Sequence, residues 1–286
     1  MKTVAILLTA LCMAFGTTAY SQKTYSSGGF FNKKVKASKN YVTKDIRVDN
    51  FNRVCVSSGI NVSFTQKAGK PKVKIYTSDN IVDLLNIRVR DKKLEIGFKK
   101  GVNVTYNKLD VTLSAETLNG IAIAGSGDFK LTNGLKTDNL NISVSGSGDV
   151  YADNLKCSNL KTSIAGSGNI QSNGIECASI ESSISGSGDT KLENINASAG
   201  VKSSIAGSGT FILSGKAHEA NYSIAGSGDI LAADLQAARV NTSIAGSGDI
   251  KCHATDFLKV RNSGSGSVGY KGNPELDIPK KGLYKL

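Results

Sequence analysis

The stretch SVSGSGD at residues 143–149 returns along the chain with almost no change. It reappears as SIAGSGN (163–169), SISGSGD (183–189), SIAGSGT (204–210) and SIAGSGD (223–229 and 243–249). The Gly-Ser-Gly at its centre occurs eight times, with successive first glycines 18 to 21 residues apart. Such self-similarity at a nearly constant period is typical of repeat architectures, in which each repeat packs only against its neighbours.

Apolar residues recur at the same four places in several of the repeats. Counting the first glycine as position 0, they stand at positions 4, 9, 14 and 18, as in Val150, Leu155, Leu160 and Ile164. Polar and apolar residues mostly alternate between them, which indicates strands rather than helices. Short strands with a period of about 20 residues predict an all-β fold, a parallel β-helix or β-solenoid, whose coils share one apolar interior.

The two glycines of each Gly-Ser-Gly are interpreted as turn residues, because a corner in every coil needs φ values that only glycine adopts without strain. A phosphate-binding role is disfavoured, since neither a helix nor a P-loop lysine follows. The predicted structural turns are Gly125, Gly127, Gly146, Gly148, Gly166, Gly168, Gly186, Gly188, Gly207, Gly209, Gly226, Gly228, Gly246, Gly248, Gly264 and Gly266.

The segments outside the repeats complete the predicted organisation. An apolar run over 4–15, followed by Ala-Tyr-Ser at 19–21, indicates a signal peptide over residues 1–21. Residues 22–45 predict a flexible basic leader. Residues 46–274 are expected to form a single β-solenoid domain, with regular repeats over 121–268 and a C-terminal tail or cap over 275–286. In the N-terminal third, alternating strands predict irregular, longer coils that cap the solenoid, with one helical turn after Asp79.

The predicted signal peptide implies an exported chain that resides in the periplasm, on the outer-membrane surface or outside the cell. Its apolar run is too short to serve as a permanent membrane anchor. The rest of the sequence contains no segment that predicts a transmembrane helix.

Several short motifs together resemble a known family. They are FNRV (51–54), SGINV (58–62), LEI (94–96), the Gly-Ser-Gly-Asp repeats and the closing segment GYKGNP (269–274). This set resembles the putative auto-transporter adhesin family with a head GIN domain over residues 46–274. The resemblance implies an exported β-helical envelope or surface protein of the kind found in Bacteroidetes. It brings no catalytic residue and no ligand to transfer to this chain.

Positive charge is concentrated in the N-terminal third. Residues 22–110 carry 19 Lys and Arg against 7 Asp and Glu, whereas residues 111–270 carry 11 against 14, in a chain of net charge +12. This segment could attach to anionic glycans or lipid headgroups, or it could be a solvated cap that prevents end-to-end stacking. Nucleic acid is not expected, because aromatic residues do not interleave the basic ones. The candidate binding residues are Lys67, Lys70, Lys72, Lys74, Lys92, Lys93, Lys99 and Lys100.

Acidic residues recur at position 3 of the repeats. Asn169, Thr210 and Ser267 interrupt the series. We favour ordinary turn chemistry, since Asp commonly occupies turns, over a ladder of calcium sites, which stacked carboxylates could also form. The series consists of Asp128, Asp149, Asp189, Asp229 and Asp249.

Cys157 and Cys177 both stand at position 11 of neighbouring repeats. Stacked coils would bring their Cα atoms within disulfide range, but parallel side chains suit the required dihedral angle poorly. We therefore favour two free thiols and keep a disulfide as the alternative. His218 and His253 lie in different repeats without a ligand cluster, which disfavours a zinc site. The sequence predicts no catalytic residue and no cofactor.

These observations favour a non-enzymatic surface protein that binds a glycan or a protein. The flank that carries Ser163, Ala165 and Ser167 would offer a flat surface of small residues. A pectinase-like enzyme acting on polysaccharide is the alternative by analogy of fold, and a structural envelope scaffold is a third possibility. The sequence indicates no particular oligomeric state.

Overall fold

The computed structural model describes residues 33–277 and 282–286, and within them almost every element is a strand. The predicted signal peptide and the first part of the predicted leader lie outside the described residues. Consecutive repeats form stacked parallel coils, which confirms the predicted β-solenoid. No helix of the described residues is both long and apolar enough to cross a bilayer.

The elements follow the chain in three groups. The N-terminal third contains β1 (Lys33–Lys36), β2 (Tyr41–Ile46), β3 (Arg53–Ser57), β4 (Asn61–Gln66), β5 (Lys72–Ser78), α1 (Asp79–Val82), β6 (Leu85–Arg90), β7 (Lys93–Phe98), β8 (Val102–Thr105) and β9 (Leu109–Ala115). The repeats contain β10 (Gly120–Gly125), β11 (Phe129–Leu131), β12 (Leu135–Lys136), β13 (Asn139–Gly146), β14 (Val150–Tyr151), β15 (Leu155–Lys156), β16 (Asn159–Gly166), β17 (Ile170–Gly186), β18 (Thr190–Gly207), β19 (Thr210–Gly226), β20 (Asp229–Gly246) and β21 (Ile250–Asn262). The C-terminal end contains β22 (Val268–Lys271), β23 (Glu275–Asp277) and β24 (Leu283–Lys285).

Each coil has three strand segments and therefore three faces. The long face is formed by β13, β16 and the equivalent parts of later strands, and the short face by β14 and its equivalents. We call the third the groove face; it is formed by β15 and equivalents such as residues 175–176. Corners separate the segments, at Gly-Ser-Gly, at Asn154, which has a positive φ of 56°, and after Cys157.

Equivalent residues of successive coils lie directly opposite one another. The pairing of β16 with β17 runs without interruption from Asn159 opposite Ser179 to Gly166 opposite Gly186. The inward isoleucines that stand two residues before each of these Gly-Ser-Gly corners consequently form one buried column, in which each member is at most 2% exposed. Truncating one of them to alanine should cost roughly 2–5 kcal/mol, since neighbouring coils cannot collapse into the gap. The column consists of Ile164, Ile184, Ile205, Ile224 and Ile244.

The two glycines of the corner are required for different reasons. The first has a positive φ in seven of the eight copies, Gly264 being the exception. The second, such as Gly188, does not adopt a positive φ, which corrects the expectation that both glycines serve the turn through their φ values. Its requirement is space, because an added Cβ would overlap the carbonyl oxygen of Gly168 in the preceding coil.

The N-terminal third stacks out of chain order. Strand β3 lies between β7 and β10 and is parallel to both, while β4 lies likewise between β9 and β11. Beyond them, β6 pairs antiparallel with β7, and β5 pairs antiparallel with β9 and β2. The end of the solenoid is therefore covered by antiparallel strands, where the sequence predicted only irregular coils.

Two local expectations are corrected here. The predicted flexible leader contains β1 and most of β2, and these strands pair with β8 and β5. Helix α1 begins one residue earlier than expected, with Ser78 rather than Asp79 at the N-cap. The Asp79 side chain instead accepts hydrogen bonds from Ser38 and Asn40, which connect the helix to the chain before β2.

The C-terminal segment continues the stack. Strand β22 pairs with β21, β23 extends the long face beside β21, and β24 pairs with β22. Tyr284 and Leu286 lie over Gly269, where any larger residue would overlap their side chains. The last described residues thus close the second end of the solenoid.

Candidate functional site

The acidic column at position 3 forms a ladder of hydrogen bonds between coils. The main-chain N–H of Asp149 donates to the Asp128 carboxylate (3.0 Å), and the N–H of Asn169 donates to Asp149 (2.9 Å). In the next two coils, the N–H of Asp189 donates to the side-chain oxygen of Asn169 (3.0 Å), and the N–H of Thr210 donates to the Asp189 carboxylate (2.9 Å). Each Asp or Asn thus satisfies an amide of the next coil, which turn chemistry within a single coil does not describe.

The ladder is interrupted where the column holds threonine. The N–H of Asp229 donates to the Gly209 carbonyl oxygen (3.2 Å) instead of to Thr210. The ladder resumes in the following coils, where the N–H of Asp249 donates to the Asp229 carboxylate (2.9 Å) and the N–H of Ser267 donates to the Asp249 carboxylate (2.7 Å). Only one oxygen of each carboxylate is needed for these bonds, so they do not decide the disfavoured alternative of calcium binding by the column.

The two histidines do not come together. His218 is exposed and His253 is half-buried, and the coil that contains Gln236 lies between them. Among residues 33–277 and 282–286, no three His, Cys, Asp or Glu side chains gather in a geometry suited to a metal ion.

Seven of the eight candidate lysines are exposed, and within the described chain these seven make no ion pair. Lys93 differs, because it is half-buried and its ammonium lies 3.0 Å from Glu95. Arg88 also binds Glu95, at 2.9 Å. Partial burial alone would raise the pKa of Glu95, but the hydrogen bonds from Arg88 and Lys93 outweigh it and lower the pKa.

The lysines occupy one end of the solenoid but different sides of it. Lys72 and Lys74 point outward from β5, which extends the short face, and Lys67 and Lys70 precede that strand. Lys92 lies in the turn before β7, and Lys99 and Lys100 follow that strand. Sequence reasoning did not select Arg88 and Arg90, although they are exposed on β6 and add to the charge of this end.

A concavity lies on the groove face. This shallow groove has a volume of about 1010 Å³ and is lined by Gln66, Lys136, Asp138, Lys156, Cys157 and Glu176, among others. Lys156 and Glu176 form an ion pair across neighbouring coils at 2.8 Å. The Gln66 side chain spans one end of the groove, because it donates to the Glu116 and Lys136 carbonyls and accepts from the Lys136 N–H. The alternation of single strands did not predict this concavity.

Cys157 and Cys177 also line the groove, in adjacent coils. They are present as thiols, and Cys157 is the more exposed of the two. A hydrogen bond from the Cys177 thiol lowers the pKa of Cys157, against the effect of burial. The same hydrogen bond, together with burial, raises the pKa of Cys177.

The predicted flank of small residues lies on the long face. Ser163 stands opposite Ser183, and Ala165 opposite Ser185, so the surface beside the glycine corners is flat. Nearer the C-terminal end, a shallow depression of about 310 Å³ on this face is bordered by Lys202, Lys259 and Arg261. Its floor is made of serines and threonines of the repeats, such as Ser223 and Ser243.

Three solved structures with the same fold come from species of Bacteroidetes. A protein of Parabacteroides distasonis described as a putative lipid binding protein is 25% identical with a TM-score of 0.70, covering 89% of this chain and 100% of its own. A putative adhesin of the same species is 26% identical with a TM-score of 0.67, covering 88% and 99%. A putative adhesin of Bacteroides fragilis is 33% identical with a TM-score of 0.52, covering 88% and 95%.

No match was found among curated proteins. The sequence does match the family described as "Putative auto-transporter adhesin, head GIN domain", over residues 50–199 and 163–274. These two overlapping matches span both the N-terminal third and the repeats. The chain therefore belongs to the auto-transporter adhesin family with a head GIN domain.

Proposed function

We propose that this chain is an exported adhesin of the cell envelope or surface, without catalytic activity, that binds an anionic glycan through its basic N-terminal end. The observation that carries the proposal is the set of seven exposed lysines, none of which forms an ion pair among the described residues. Unneutralised surface charge attracts polyanions, and the attraction is screened by salt.

The site shares its chemistry with known binding surfaces rather than with catalytic ones. Catalysis by a nucleophile or by paired carboxylates needs the reacting groups held together in a cleft. Here the acidic column is engaged in hydrogen bonds between coils, and the lysines project from the outward side of β5, from strand ends and from turns. The relatives named above are described as adhesins or as a lipid binding protein, which supports binding as the function of this chain.

A retention assay tests the proposal. The protein is passed over immobilised acidic and neutral polysaccharides and over vesicles of phosphatidylglycerol, at low and at high salt. The test variant carries Lys70→Gln, Lys72→Gln and Lys74→Gln. The matched control carries Lys130→Gln, Lys216→Gln and Lys251→Gln, which remove the same charge from exposed positions in the repeats.

We expect retention on acidic polysaccharide that high salt abolishes. With about 0.5 kcal/mol for each exposed contact, the test variant should bind about tenfold more weakly, whereas the control should bind like the wild type. Equal losses in both variants would contradict a localised site. Retention on the vesicles but on no polysaccharide would indicate that the ligand is an anionic lipid and not a glycan.

Enzymatic activity is measured in the same assay. Shortening of the polysaccharide that survives repurification and disappears on substitution of a single Asp would overturn the proposal in favour of a pectinase-like enzyme. Retention on none of the ligands would favour a structural role in the envelope.

A further inference from the structure

Two cysteines occupy equivalent places in adjacent coils at the floor of the groove. Cys157 directly follows β15, and its N–H donates to the Glu176 carbonyl oxygen, which places it beside Cys177. Neighbouring strands lie about 4.8 Å apart, within the range of Cα separations that a disulfide bridges.

Both cysteines border a corner, where the backbone is less regular than within a face. Strand β15 ends at Lys156, and the pairing of β17 with β18 shifts register between Cys177 and Ser179. A side chain at such a place is not held by continuous pairing on both sides. This relaxes the objection that parallel side chains in a flat sheet suit the disulfide dihedral angle poorly.

The size of the site does not explain the choice of cysteine. In the following coils the same column holds alanine, and these alanines pair in register with one another. A methyl group therefore suffices at this place in the fold, and sulfur occurs in two consecutive coils among the four repeat coils that line the groove. The alanines are Ala197, Ala217, Ala237 and Ala254.

We propose that Cys157 and Cys177 form a redox-active dithiol that opens onto the groove and reacts with small-molecule disulfides. Cys157 is half-buried and accessible, whereas Cys177 is only 7% exposed and lies behind it. The lowered pKa of Cys157, caused by the Cys177 hydrogen bond, increases its thiolate fraction.

The reaction is a double exchange. The Cys157 thiolate attacks one sulfur of a disulfide RSSR, forming a Cys157–SR bond and breaking the R–S–S–R bond; the leaving RS⁻ takes up a proton. Cys177 then loses its proton and attacks the Cys157 sulfur, which forms the Cys157–Cys177 bond and releases the second RS⁻, protonated to RSH. The two protein thiols are oxidised and one RSSR is reduced to two RSH.

Oxidised glutathione is the probe for the test. The purified protein is first reduced with dithiothreitol, which is then removed, and after exposure to oxidised glutathione the remaining thiols are alkylated. Trypsin places the two cysteines in separate peptides, residues 157–161 and 162–191. We expect loss of both alkylated peptides and recovery of one cross-linked pair. Cys252, which is fully buried and whose pKa burial raises to about 12, should not react in the folded protein.

Two variants separate the steps. In Cys177→Ala, the reaction should stop with glutathione attached to Cys157, and alkylation of Cys157 should require a higher pH because the hydrogen-bond donor is gone. In Cys157→Ala, Cys177 should stay unmodified. Both variants introduce the alanine that later coils carry, and urea unfolding checks that they fold. Full alkylation of both cysteines in the wild type after oxidised glutathione, or equal reactivity of Cys177 in the absence of Cys157, would overturn the proposal.

Discussion

Residues 120–262 stack in the order in which the chain runs, whereas residues 53–115 do not. In the repeats every coil pairs with the coil before it and the coil after it, residue against equivalent residue. In the N-terminal third the coil of β3 and β4 is enclosed between a later segment of the chain and the first repeat. The same alternation of inward and outward residues serves both arrangements.

The difference shows what repetition contributes. When neighbouring strands have nearly the same sequence, a correct register is the one that stacks isoleucine on isoleucine and glycine on glycine. In the N-terminal third the partners are unlike, and antiparallel strands complete the pairing at the end of the stack. A covered end avoids the exposed strand edge that otherwise invites association.

The glycine corners offer the largest expected effect. Gly186 and Gly101 both have a positive φ, but a Cβ on Gly186 would overlap the Gly166 carbonyl oxygen, whereas space around Gly101 is open. Gly101→Ala should therefore cost only the backbone strain of about 1–2 kcal/mol. Gly186→Ala adds the overlap and should cost about 3 kcal/mol or more in the free energy of unfolding. Urea denaturation measures the free energy of unfolding of both variants. Equal losses would mean that the coils around Gly186 pack no more tightly than the chain around Gly101.

The ladder between coils gives the intermediate effect. Asp149→Ala leaves the Asn169 N–H without its acceptor, and Asn61→Ala does the same to the Asp128 N–H, which donates to Asn61 at 3.1 Å. Each substitution should lower the free energy of unfolding by about 1–2 kcal/mol, because it leaves one main-chain amide without its acceptor. The two sites compare the two regions, since the ladder begins in the N-terminal third and crosses into the repeats.

Asp149→Asn is the control for that prediction, because the amide oxygen accepts the same bond. Its free energy of unfolding should lie within about 0.5 kcal/mol of that of the wild type, with or without added calcium. A loss as large as that of the alanine variant, or stabilisation of the wild type alone by calcium, would favour the calcium ladder instead.

Ion pairs should have the smallest effect, and they again distinguish the two regions. The lowered pKa of Glu95 means that the stability it contributes is present above its ordinary pKa of 4.5 and is lost as the pH falls through the folded value. Glu95→Gln should lower the free energy of unfolding at pH 7 by at most about 1 kcal/mol, and the difference should vanish in acid.

The comparison is with Glu181 in the repeats, whose pair with Lys161 at 3.2 Å joins two exposed side chains. Glu181→Gln should change stability less than Glu95→Gln does, because water screens the exposed pair. Thermal unfolding between pH 3 and pH 7 measures both variants. A larger effect at Glu181 would contradict the different exposure of the two pairs.

Much of the solenoid could be predicted from the sequence, because polar and apolar residues alternate along each strand and the apolar ones mark the side that faces the interior. Ile164 and Ile184 were assigned to the interior on this basis, and both are 1% exposed. The order of coils in the N-terminal third could not be predicted, since alternation in β3 gives the inward face but not the neighbouring strand.

The candidate site was predictable only in part. The lysines could be selected from local charge, but the ion pair of Arg88 with Glu95, which also binds Lys93, depends on the pairing of β6 with β7. The hydrogen bonds of Asp149 reach an amide about one repeat away, so a turn interpretation within one coil could not find them. The groove is formed by four adjacent repeat coils together with Gln66 and Thr117, and it has no signature in any one coil.

The sequence by itself determined the strand period, the inward columns, the glycine corners and the family, because these properties repeat within the chain or depend on residue type alone. The tertiary structure alone decided which coils are neighbours at the N-terminal end, why the second glycine of each corner is needed, and which of the described lysines form ion pairs. Those properties depend on atoms that are distant along the chain and meet only when the coils stack.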